Sequence, residues 1–67
     1  MTSIEIQFAG YDPETMTLPL SKSPFEHVHS ADEANSIIES ALMGDEDDAG
    51  WIRADANGEA FQVRRSN

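Results

Sequence analysis

Cysteine is missing altogether from the 67 residues. No disulfide or thiolate–zinc staple can reinforce a weak core, and nothing points to an oxidising compartment. Long apolar runs are missing too. The opening MTSIEIQF carries no basic segment ahead of an apolar one, so neither a signal peptide nor a membrane span is expected. A soluble, cytoplasmic protein is the expectation. Bases are scarce: four Lys and Arg stand against thirteen Asp and Glu, a net charge of −9. Between Lys22 and Arg53 there is no base, while Glu26, Asp32, Glu33, Glu39, Asp45, Glu46, Asp47 and Asp48 contribute eight negative charges. Direct nucleic-acid binding needs the opposite sign, and an anionic membrane repels such a chain.

Catalytic signatures are absent as well. There is no Gly-rich phosphate loop and no Ser/His/Asp order with a nucleophile elbow. A two-layer domain of this size rarely encloses a pocket deep enough to retune acid–base groups. No enzyme, cofactor or dedicated metal site is expected.

What is present specifies one small acidic domain over residues 1–67, able to bury about 60% of its unfolded surface. Ser3 to Phe8 alternates, with Ile4, Ile6 and Phe8 on one face, and Thr15 to Leu20 alternates again with Met16, Leu18 and Leu20 inward. Pro19 confines that second strand to a sheet edge or ends it. Phe25 and Val28 are expected to pin the following linker, where a short extra strand is allowed. Ser30 and Glu33 form a capping box. Ala34, Ile37, Ile38, Ala41 and Leu42 mark one buried helical face, with Asn35, Ser36, Glu39 and Ser40 opposite. Gly44 has the place of a left-handed stop, so the helix is expected over Ala31–Met43. Asn57-Gly58 is a type I′ pair that sets Ile52 against Val63, Arg53 against Gln62, Ala54 against Phe61 and Trp51 against Arg64. The expected fold is α+β, ββαββ, one helix packed on an antiparallel sheet of four or five strands. Its expected core is Ile4, Ile6, Phe8, Leu18, Leu20, Ile37, Ile38, Leu42, Ile52, Phe61 and Val63.

Three constellations remain. His27-x-His29 has a spacing used in metal sites but no third marked ligand, and reads as surface histidines before a helix cap. Asp45-x-Asp47 begins like a calcium loop, yet Ala49 and Ala56 fall where ligands are needed. The run Asp45, Glu46, Asp47, Asp48 follows a helix C-terminus, where the dipole favours cations. It reads either as a solvated loop or as a surface kept negative for a basic partner, often one built for DNA or RNA. Tyr11, Trp51 and Met43 are the candidate exposed anchors beside it.

A small, cysteine-free, strongly acidic domain resembles the inhibitor proteins carried by phages and mobile elements, the anti-CRISPR proteins in particular. The resemblance is one of class, carried by size, charge and compactness over the whole chain. Among them it looks most like acidic inhibitors of type I systems. The resemblance implies a bacterial host cytoplasm, a monomer or weak homodimer, and a target on the DNA-binding or PAM-reading surface of the Cascade complex. The contact set expected from charge is Asp32, Glu33, Glu39, Asp45, Glu46, Asp47 and Asp48, with Trp51 and Tyr11 beside it. The alternative is a small acidic regulator, antitoxin-like or self-associating through an edge strand, unrelated to nucleic acid.

Overall fold

Period-two alternation builds the sheet, and a computed structural model, describing residues 1–66, shows its extent. Strand β1 is Thr2–Phe8, β2 is Glu14–Leu18, helix α1 is Ala31–Ala41, β3 is Ile52–Ala56 and β4 is Glu59–Arg65. The strands pair antiparallel in the order β2-β1-β4-β3, so the two hairpins meet through a central β1–β4 pairing. One helix covers one face, giving the α+β, ββαββ arrangement. The described residues form four strands, not five, because Phe25 to His29 is irregular. Phe25 and Val28 nevertheless pin that segment, at 5% and 1% exposure.

Register follows from the second turn. Asn57 and Gly58 have φ of +53° and +91°, the left-handed pair a type I′ turn requires. Ile52 then meets Val63, Arg53 meets Gln62 and Ala54 meets Phe61, while Ile6 and Phe8 meet Val63 and Phe61 from the other side. Ile4, Ile6, Ile52, Phe61 and Val63 all face the helix and are buried. A one-residue slip would turn the whole set to solvent. Pro19 has no N–H to donate, and β2 is both an edge strand and finished at Leu18, short of the expected Leu20.

The Ser30 hydroxyl accepts from the Glu33 amide at 3.3 Å, one of the two bonds a capping box anticipates. The buried stripe is narrower than the sequence suggests. Ala34, Ile38 and Leu42 are buried, while Ile37 and Ala41 lie half-buried at its margin. Phe8 and Leu20 are likewise rim residues, their expected places in the core taken by Phe25, Val28 and Ala56. The Phe25 ring lies 5.8 Å from Phe8 and 5.0 Å from Phe61, centre to centre, which closes one end of the core.

The helix ends at Ala41 rather than Met43. The Met43 and Gly44 amides donate to the Ser40 and Ala41 carbonyls, three residues back, at 3.2 and 2.9 Å. This tightened turn satisfies terminal carbonyls without a left-handed residue. Gly44 does not adopt the expected positive φ. Its role is steric: a Cβ there would sit 3.1 Å from Ile52 Cγ2 and 3.2 Å from the Ala41 oxygen. Asn35 departs from its expected solvent face. It receives the Leu20 amide at 2.8 Å and donates to the Leu20 carbonyl at 3.1 Å. No helix among the described residues is long and apolar enough to cross a membrane.

Candidate partner-binding surface

The acidic run lies in the loop between α1 and β3, and that loop is fastened. Asp47 Oδ1 accepts the Ala49 and Trp51 amides, both at 2.9 Å. The Asp47 amide donates to the Trp51 carbonyl at 2.8 Å, and the Gly50 amide to the Asp47 carbonyl at 3.0 Å. Asp at the first and Gly at the fourth position is the signature of a β-turn with a side-chain bond to its own backbone. Asp47-Asp48-Ala49-Gly50 carried that signal, masked in the sequence by the run of like charge.

Arg64 closes the loop from outside. Its Nη1 donates to the Ala49 carbonyl and its Nε to Glu5 Oε1, both at 2.9 Å. Its guanidinium carbon lies 4.3 Å from the centre of the Trp51 ring, in cation–π range. The stretch without a base in sequence therefore has one in space, supplied by β4. Trp51 is half-buried beneath it.

Asp45, Glu46 and Asp48 are exposed, and none takes part in a hydrogen bond or ion pair among the described residues. Glu46 lines a concavity of about 350 Å³ together with Glu5, Arg64 and Arg65, so its field is partly offset. Asp45 and Asp48 carry the uncompensated charge. Asp32 and Glu33 are exposed in the first helical turn, at the other end of α1. At 1.5 Å per residue, Asp32 stands about 14 Å along the axis from Ala41, where the helix ends. That exceeds the screening length of about 8 Å at physiological salt, so the expected acidic set divides in two. Glu39 lies on the loop side, exposed beside a concavity that Leu42, Met43 and Arg65 also line.

The aromatic anchors separate as well. Phe8, Phe61 and Ala54 share one row across the sheet. Tyr11 follows Phe8 past the turn end of that row, whereas Trp51 precedes Ala54 toward the opposite end. Tyr11 is 73% exposed and Met43 86% exposed, and of the two Met43 adjoins the acidic loop. His27 and His29 are exposed, and no cluster of three or more metal-ligating side chains occurs among the described residues.

The division of labour within the run is measurable. Asp47→Ala is expected to lower unfolding stability by about 1 kcal/mol, as loss of a side-chain cap does. Asp45→Asn and Asp48→Asn should stay within about 0.5 kcal/mol of wild type. Urea unfolding followed by Trp51 fluorescence reads all three, and equal stabilities would remove Asp47 from its fastening role.

Compared with known proteins, the chain matches no family model, no curated protein and no solved structure.

Proposed function

We propose that this domain binds the basic, nucleic-acid-reading surface of another protein and occupies it by acidic charge, as a non-enzymatic inhibitor. The observation that carries the reading is a fastened loop presenting Asp45, Glu46 and Asp48 with no hydrogen-bonding or ion-pairing partner among the described residues. A loop already ordered loses little conformational freedom on binding. Carboxylates held outward meet Lys and Arg placed for phosphates, which favours fast and salt-sensitive association. Glu39 extends this surface, and Asp32 and Glu33 form a second, separate patch. Within this reading the finer assignment is an anti-CRISPR protein of a bacterial host, covering the target-DNA or PAM-reading surface of a type I Cascade complex.

The test is a pull-down from bacterial lysate with wild type and with Asp45→Asn/Glu46→Gln/Asp48→Asn, which leaves Asp47 in its structural role. Wild type should recover a DNA-binding protein and displace its DNA, less effectively as salt rises. The neutralised variant should bind at least about tenfold more weakly. Equal recovery by both, or DNA that stays bound, overturns the reading. Recovery of a partner without a nucleic-acid site would favour the regulatory alternative.

A further inference from the structure

Strand β3 is an edge of the sheet, with β4 on one side and no strand on the other among the described residues. A two-residue turn makes the flanking Ala56–Glu59 pair mutually bonded, and an antiparallel ladder alternates. Ile52, Ala54 and Ala56 therefore direct their amides and carbonyls to β4. Those of Arg53 and Asp55 point away from the sheet. Edges in this state pair with further strands unless something blocks them. β2, the other edge, is followed directly by Pro19, and β3 contains no proline.

Side-chain charge selects the pairing. Arg53 is exposed and makes no ion pair among the described residues, and Asp55, whose Oδ2 accepts the Gly58 amide at 3.1 Å, is exposed two positions along on the same face. A two-fold axis through Ala54 sets Arg53 of one copy directly opposite Asp55 of the other, twice. The same register brings the two outward-facing backbone positions into mutually bonded pairs. Centring the axis on Arg53 or Asp55 also aligns bonding positions, but it opposes like charges, which is unfavourable across a strand pair. Beside this edge runs a groove of about 450 Å³ lined by Ser36, Ile37, Ser40, Ala41, Ala54 and Asp55. Ile37 and Ala41 are the two margin residues of the helical stripe that the monomer leaves half-buried.

From the free edge, the Arg53–Asp55 complementarity and the flanking groove, we infer that β3 pairs antiparallel with β3 of a second copy, centred on Ala54. The result is a continuous eight-stranded sheet with the two grooves facing each other across the axis. None of the loop carboxylates takes part, so the inference stands apart from the charge-based reading. Each protomer carries −9, and ordinary salt is needed to screen their repulsion.

Sedimentation equilibrium of the wild type in about 0.15 M salt, up to about 1 mM protein, should show the mass rising from monomer toward dimer. Arg53→Glu alone sets a second carboxylate against Asp55, and Asp55→Lys alone sets an ammonium against Arg53, so each variant should remain monomeric. Mixing the two places opposite charges at both contacts and should restore the dimer. Arg53→Pro removes an outward-facing edge donor together with the guanidinium, but no bond to β4, and should also stay monomeric while keeping wild-type circular dichroism. The same spectrum checks that the other two variants are folded. A wild type that stays monomeric, single variants that still dimerise, or a mixture of folded variants that does not, each overturns the inference.

Discussion

Ile38→Ala will leave the domain largely unfolded. Ile38 is fully buried at the middle of α1, in one core with Ile4, Ile6 and Val63, all 0% exposed. Truncating such a side chain costs about 2–5 kcal/mol, the lost transfer energy plus the cavity left behind. A single core in a chain this short supplies only about 3–5 kcal/mol in total. No disulfide is present to offset the loss. Ile37→Ala is the internal control. One position along, at the margin of the core, it should cost about 1 kcal/mol by the apolar area it covers. Urea titrations followed by circular dichroism should give a full sigmoid for wild type and Ile37→Ala, and no folded baseline for Ile38→Ala. Similar midpoints for the two variants would place the centre of the helical stripe elsewhere.

Asn35→Ala should cost about 1–3 kcal/mol, the penalty for leaving partly buried groups without a partner. Asn35 bonds both the amide and the carbonyl of Leu20, tying the end of the first hairpin to the helix across fifteen residues. Alanine has better intrinsic helix propensity, which would predict the opposite sign. The tie outweighs that because both Leu20 groups lose their partner at once. Asn35→Asp is diagnostic: it keeps an acceptor for the Leu20 amide but sets a carboxylate against the Leu20 carbonyl. It should be no more stable than Asn35→Ala. A gain in stability on Asn35→Ala would reduce the tie to incidental contact.

The elements governed by local rules were legible in the chain. Asn57-Gly58 set the second hairpin and its register to the residue, and Ser30 marked the start of the helix. What depended on packing between elements was not. Gly44 looked like a left-handed stop, yet the reason for glycine there is the approach of Ile52, whose position is set by a strand eight residues later. Asn35 looked solvated because its partner is the backbone of Leu20, which the alternation placed within a strand but which lies beyond the end of β2 at Leu18. In the candidate surface, four consecutive acids read as equivalent. One of them is a turn residue, which the run of like charge hid, whereas the base beside them, Arg64, was already set against Trp51 by the hairpin register.

The central pairing of β1 with β4 sets when the protein can fold. Ile4 lies against Arg65, so the middle of the sheet joins residues from near both ends of the sequence. On a translating ribosome the first hairpin and the helix emerge before β4 does. Through that interval one side of β1 is an open edge, flanked by Ile4 and Ile6 with incomplete cover, the condition under which nascent chains stick to one another. The acidic balance matters within that interval. Eleven of the thirteen carboxylates precede Trp51, against the single base Lys22, so the emerging segment is strongly negative and neighbouring copies repel. The charge that we propose meets a basic target thus also opposes contact between chains that are still incomplete.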